Sequence, residues 1–174
     1  VHTILGIVTD LNAEAQTRDL ALEAVGVGIP GLVDGERGML LHSAGAHVAD
    51  LHGVPLAERI SAKTGVPAFV DNDVNVLALG EWTFGLGRGA AACVVLAVGS
   101  AVGVGIILDG RLVRGKSGYA GELGHAPIDF NGPPCPCGGR GCLSLYVGGE
   151  YLAAEARQRI TREPSSLLAL AGGE

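Results

Sequence analysis

Basic residues are scarce in this chain: 12 Lys and Arg face 18 Asp and Glu over 174 residues, giving a formal net charge of −6 and a pI ≈ 5.3. Neutralising nucleic-acid phosphates takes clustered Lys and Arg, so this segment is not expected to bind nucleic acid. Long apolar runs are missing too. None approaches the roughly 18 residues that cross a bilayer, and no signal peptide is visible, so no membrane partner is expected. Aromatic residues make up only 4%, against 48% hydrophobic residues in all, so the core has to be aliphatic, with enough material for one domain or two small lobes. There are four cysteines, and three of them, Cys135, Cys137 and Cys142, share one loop. That distribution speaks against a disulfide framework and for a reducing, cytoplasmic setting with a metal site. Glycine is the opposite case: 29 residues, about twice the average usage of roughly 7% and spread through the chain, imply many tight turns. The chain begins without Met at "VHTILGIVTD" and stops at "LLALAGGE" as a new helix starts, so it reads as an excised piece of a longer protein.

"TILGIVTDL" (3–11) and "AVGVGIP" (24–30) are apolar, β-rich runs and are expected as strands. "DGERG" (34–38) is a turn between two extended pieces, and "PLAERISAKTG" (55–65) is a short amphipathic helix closed by Gly65. "VPAFVDND" (66–73) is a strand running into an acidic tip, and "NVLALGEWTFG" (75–85) starts a helix. "ACVVLAVG" (92–99) and "VGVGIILDGRLVRG" (102–115) give two strands and a hairpin around Asp109-Gly110; "EYLAAEARQRI" (150–160) is a helix. Strands and helices alternate without an internal repeat, so the class is α/β.

The chemistry concentrates in "GHAPIDFNGPPCPCGGRGC" (124–142). His125 is followed ten residues on by a C-x-C-x4-C pattern, and thiolate and imidazole are the preferred ligands of a closed tetrahedral Zn²⁺ site. Pro133, Pro134, Gly138, Gly139 and Gly141 supply the bends that let His125, Cys135, Cys137 and Cys142 converge. The alternative, free thiols in a flexible loop, leaves reactive cysteines with no reason to cluster. Four protein ligands leave no open position for a catalytic water, so the zinc is expected to be structural. Just upstream, "GELGH" (121–125) puts Glu122 three residues before His125. "DND" (71–73) ends a strand with a carboxylate, and "GSAVGVG" (99–105) is a Gly-rich turn whose N–H groups suit a phosphate. Taken singly, such a turn is as readily just a turn, and such a tip is usually solvated.

In this order, "VGVGIPGLVD" (25–34), "FVDNDVN" (69–75), "VGSAVGVGIILDGRLVRG" (98–115), "SGYAGELGH" (117–125) and "CPCGGRGC" (135–142) resemble the ROK family of bacterial sugar kinases and sugar-responsive repressors. The resemblance covers about two thirds of the chain. It implies an actin/hexokinase-like, ribonuclease H-like two-lobe α/β fold, present here as an incomplete fragment. On that reading, 1–90 belong to an N-terminal lobe with the sugar side and the catalytic Asp, and 91–174 begin a C-terminal lobe with the phosphate turn and the zinc loop. Asp73 matches the general base and Asn72 the neighbouring sugar-binding amide. Glu122 and His125 match sugar-hydroxyl contacts, and His125, Cys135, Cys137 and Cys142 match the zinc ligands. Gly99, Ser100, Gly103 and Gly105 fall on the phosphate turn. The implied function is transfer of the ATP γ-phosphate, with Mg²⁺, to a hexose or N-acetylhexosamine. The alternative is the sugar-sensing effector domain of a ROK repressor, whose DNA contacts would lie in an upstream helix-turn-helix. A homodimer or homotetramer is implied as well.

Departures from the family pattern accompany the match. Ser144 stands where a sugar-binding Glu is usual, Ala101 and Val104 replace glycines of the phosphate turn, and the Asn usual in the sugar-side loop is missing from "SAGAHVADLHG" (43–53). The first phosphate motif, Asp-x-Gly-Gly-Thr, and the adenosine region are not in the sequence. Cys93 reads as a small core residue, and Trp82 and Phe84 as packing. His42, His47 and His52, five apart, read as surface residues near the sugar mouth in preference to a second metal site.

Overall fold

The computed structural model describes residues 1–43, 46–160 and 166 (for 46 and 47 the backbone alone). The chain opens not with a strand but with a helix, α1 (His2–Thr17). From the N-cap Val1 through α1 the covered residues are Val1, Ile4, Leu5, Val8, Asn12 and Ala15, a three-and-four spacing, whereas Ile7 and Leu11 of the same apolar run are 55% and 57% exposed. An extended chain would have buried alternate residues. The run is therefore one face of a helix, carried on by "NAEAQ", and it packs against α2.

The strands and helices expected downstream are found, and two 3-10 turns and a short helix that the pattern does not announce join them. They are β1 (Val25–Ile29), β2 (Leu32–Asp34), β3 (Met39–His42), a 3-10 turn (Ala46–Leu51), α2 (Leu56–Thr64), β4 (Ala68–Asn72), α3 (Asp73–Thr83), β5 (Ala92–Val98), β6 (Val102–Leu108), β7 (Arg111–Leu112), a second 3-10 turn (Leu123–His125), α4 (Ser144–Val147) and α5 (Gly149–Ile160). The Asp34 carboxylate accepts from the N–H groups of Glu36 and Arg37 at 3.1 and 3.0 Å, which makes the β2–β3 turn. Gly65 ends α2 in the left-handed conformation at φ 77°. Asp109 and Gly110 take φ 49° and 75°, as a two-residue hairpin requires. Among the described residues, no helix is long and apolar enough to cross a membrane. The end of the chain around "LLALAGGE" lies outside the described residues.

Two compact units emerge. The first is Val1–Val95 with Gly105–Gly121; the second is Leu96–Val104 with Glu122–Glu174. In the first, β1 and β4 pair in parallel, with Gly28 opposite Asp71 and Ile29 opposite Asn72. Parallel strands need a crossover, and here it carries the β2–β3 hairpin and α2. Val8, Ile29, Val33, Leu40, Leu51, Leu56, Ile60 and Val70 form the core of this unit. The order β5-β6-β7 makes a three-stranded sheet.

Gly105 is fixed by packing. A Cβ there would lie 2.4 Å from Ala78 Cβ and 2.6 Å from the Val74 carbonyl oxygen, so α3 rests directly on β6. Gly105→Ala is expected to destabilise the protein by about 1–3 kcal/mol, the usual range for overpacking. A denaturant midpoint measured at constant m checks this, and an unchanged midpoint would refute the close approach.

Candidate functional site

The first cluster sits at the junction of β4 and α3. Asn72 is the N-cap of α3: its side-chain oxygen accepts from the N–H groups of Val74 and Asn75 at 2.9 and 3.1 Å. Its Nδ2 donates to the Gly31 carbonyl at 3.1 Å, tying the cap to the end of β1. Asp73 follows in the first turn, exposed, with one carboxylate oxygen 2.9 Å from the Val74 nitrogen. An acidic group there complements the helix dipole. β1 passes close behind, since a Cβ on Gly28 would stand 3.2 Å from Asp73 Cα. Asn72 is thus held by three hydrogen bonds, while Asp73 projects a free carboxylate edge beside it.

Asp71, not singled out by its own chemistry in the sequence, anchors this tip. Its Oδ1 accepts from Arg114 Nη1 at 2.8 Å, from the Asn72 N–H at 2.8 Å and from Asn75 Nδ2 at 3.3 Å, and its Oδ2 pairs with Arg114 Nη2. Burial works to raise the Asp71 pKa. The hydrogen bonds from Arg114, Asn72 and Asn75, with the Arg114 charge, outweigh it and hold the carboxyl below its ordinary range.

The second cluster lies in the second unit. His125, Cys135, Cys137 and Cys142 bring one ligand atom each to within 4.8 Å of one another. Cys135 Sγ is 3.6 Å from His125 Nδ1, and Cys137 Sγ is 3.7 Å from Cys142 Sγ. A tetrahedron with Zn–S of about 2.3 Å and Zn–N of about 2.05 Å has N–S and S–S edges of about 3.6 and 3.8 Å. The four side chains therefore fit a zinc ion. They do not fit a disulfide, whose sulfurs stand about 2.05 Å apart. Burial, then the neighbouring Cys135 and Cys137 sulfurs, pushes the Cys142 thiol up to about 12. The Gly139 N–H, 3.4 Å from Cys137 Sγ, draws that thiol down. Three sulfurs this close require a cation before all can ionise.

The loop backbone is built for this convergence. Cys135 N donates to Gly139 O and Gly138 N returns the bond to Cys135 O, each at 2.9 Å. Gly141 takes φ 58°, and a Cβ on it would fall 1.7 Å from the Asp129 carbonyl oxygen, so no other residue fits. With Nδ1 facing the sulfurs, His125 turns Nε2 outward to 4.0 Å from Glu122 Oε2, with 38% and 41% of the two side chains exposed. Imidazole and carboxylate stand side by side, open to a ligand.

Ser144 and the Gly-rich turn meet in the same unit. Ser144 is only 3% exposed, and its hydroxyl accepts from the Val102 N–H at 3.1 Å. The position that usually carries a sugar-binding Glu is therefore an internal tie here. Gly99 and Ser100 form the exposed β5–β6 turn, whose carbonyls accept from the Gly149 and Glu150 N–H groups at 2.7 and 3.4 Å. Gly103 lies within β6, as does Gly105. Elsewhere, Trp82 donates to the Ala90 carbonyl at 3.0 Å, Cys93 is half-buried, and Phe84 is 84% exposed instead of packed. The rings of His42 and His52 stand 6.1 Å apart, and the His47 side chain lies outside the described residues.

The ROK family model matches residues 1–171. The chain belongs to the ROK family. A glucokinase of Thermotoga maritima is 38% identical over 83% of this chain and 45% of its own length. A xylose repressor of Bacillus subtilis is 36% identical over 75% of this chain and 33% of its own length. Among solved structures, a ROK glucokinase of Streptomyces griseus, in complex with glucose and AMPPNP, aligns with a TM-score of 0.78 at 34% identity. That alignment covers 97% of this chain and 55% of the other. This ROK chain thus spans about half the length of the glucokinases it matches, or less, and its α/β fold is actin/hexokinase-like.

The Asp71 anchor gives this ROK protein an acid dependence. A carboxylate whose pKa is lowered on folding contributes stability that is fully present above its unfolded value of about 3.9. That contribution disappears as pH falls through the lower native value. Stability measured between pH 6 and pH 2 is expected to fall less steeply for Asp71→Asn than for the wild type; parallel curves would show that the pair carries no such linkage.

Proposed function

We propose that the whole protein is a ROK-type sugar kinase that phosphorylates a hexose or N-acetylhexosamine. The observation that carries this reading is the tip of α3, where an exposed Asp73 carboxylate stands next to a side chain, Asn72, already locked by the helix cap. Asp73 accepts the proton of the attacking sugar hydroxyl, and Asn72 turns its remaining amide hydrogen to the ring. Glu122 and His125 Nε2 receive and orient sugar hydroxyls through directional hydrogen bonds. His125 Nδ1, Cys135, Cys137 and Cys142 would hold a zinc ion, which would fix the attitude of the imidazole. ATP with Mg²⁺ supplies the phosphoryl group when bound, with Gly99 and Ser100 at the β5–β6 turn and Gly103 on β6 as its side of the site; Gly105 is taken up by the packing of α3. The assignment of 1–90 and 91–174 to two lobes, a cytoplasmic location and a homo-oligomeric state belong to the same reading.

A second reading is supported by the xylose repressors among the relatives and by Ser144, which withdraws one usual sugar ligand. On it, the same side chains bind a sugar as a signal, and Asp73 serves as a ligand without proton transfer.

Asp73→Asn is expected to lower kcat by about 10²–10⁴ while sugar binding is largely kept, because the amide retains the shape but cannot take the proton. A coupled assay of ATP consumption over a sugar panel measures it. Sugar-dependent operator release, with no phosphorylation of any sugar by the wild type, would favour the regulator instead. Cys142→Ser is expected to lose the metal and, with His125 unanchored, to weaken sugar binding by at least about tenfold. Titration calorimetry checks this, and intact sugar affinity without metal would contradict the coupling.

A further inference from the structure

The tip bearing Asn72 and Asp73 is held by a residue that the proposed function does not use. Arg114, which follows β7, lies 43 positions from Asp71 in sequence and meets both oxygens of its carboxylate. Through Oδ1 the same carboxylate also holds the Asn72 backbone and the side chain of the buried Asn75 in the first turn of α3. A Cβ on Gly28 would stand 3.2 Å from Asp73 Cα, so β1 lies close against the tip. All of these groups belong to the first unit. Two parallel N–H···O bonds fix the orientation of a carboxylate as well as its charge, which a lysine ammonium cannot do.

We propose that Arg114 is a positioning residue: its two-point grip on Asp71 sets the register of the Asn72–Asp73 tip against β1. The link to catalysis rests on the reading of Asp73 as the base; the positioning itself does not. Without the guanidinium, a half-buried carboxylate keeps only neutral donors and draws away from them toward water. The strand end it anchors then loosens, and with it the cap that Asn72 makes.

The test uses the whole protein with R114Q and R114K, read by amide hydrogen exchange and by steady-state kinetics. R114Q is expected to speed exchange at Val74 and Asn75 by about tenfold or more, with α2 and α5 unchanged, as a local opening does. R114K is expected to show a smaller rise confined to the same amides. In the kinase assay, kcat should fall by about 10–100-fold while the sugar KM shifts by less than about twofold, as for a misplaced base. Unchanged exchange at Val74 and Asn75 would overturn the proposal, as would a rise shared equally by α2. Should R114Q fail to fold, the local rise in R114K alone decides it. Absence of phosphorylation by the wild type would sink the kinase reading, and the exchange data would still decide the role of Arg114.

Discussion

In the second unit, three sulfurs and one imidazole nitrogen have to meet within 4.8 Å, and the local geometry follows from that demand. The backbone must double back twice between Pro133 and Cys142, which puts Gly138 and Gly141 at positive φ and leaves no room for a Cβ on Gly141. The demand also divides the histidine: Nδ1 goes to the sulfurs and Nε2 to Glu122. A metal at the shared point would thus do more than staple a loop. It would fix the tautomer and tilt of the ring whose Nε2 faces Glu122. Burial and the neighbouring Cys135 and Cys137 push the Cys142 thiol upward, so three thiolates at this spacing call for a cation among them.

A comparable division of labour governs the tip of α3. Asn72 spends its oxygen on two helix N–H groups and one amide hydrogen on Gly31, so it acts first as a cap. Rigidity at Asn72 is what lets Asp73 be both exposed and defined in position. Asp71 and Arg114 extend the brace to a hairpin distant in sequence. Both clusters therefore place an exposed polar group by consuming the hydrogen bonds of its neighbour, the arrangement expected where a ligand must be oriented.

Much of this was legible in the sequence, for identifiable reasons. The His/Cys cluster is local: all four side chains fall within residues 125–142, so their spacing and the turn residues between them announce their convergence. The Asp109-Gly110 hairpin and the Gly65 helix stop were equally local. The first helix reads as a strand in sequence because its apolar residues are nearly contiguous, and only the partner surface on α2 reveals which of them face inward. Gly105 was grouped with a phosphate turn, yet its small size is already required by α3 crossing β6. The tie from Ser144 to Val102 and the grip of Arg114 on Asp71 span 42 and 43 residues, a separation that no spacing rule reaches. An arginine directly after a hairpin and an aspartate at a strand end were the only signals, and neither names its partner.

What occupies the point between the four side chains decides most directly between a zinc site and free thiols. X-ray absorption at the zinc edge on the purified whole protein should resolve about three sulfurs near 2.3 Å and one nitrogen near 2.0–2.1 Å around each metal ion. A shell dominated by oxygen, or protein that folds with His125 ordered and no metal bound, would contradict it.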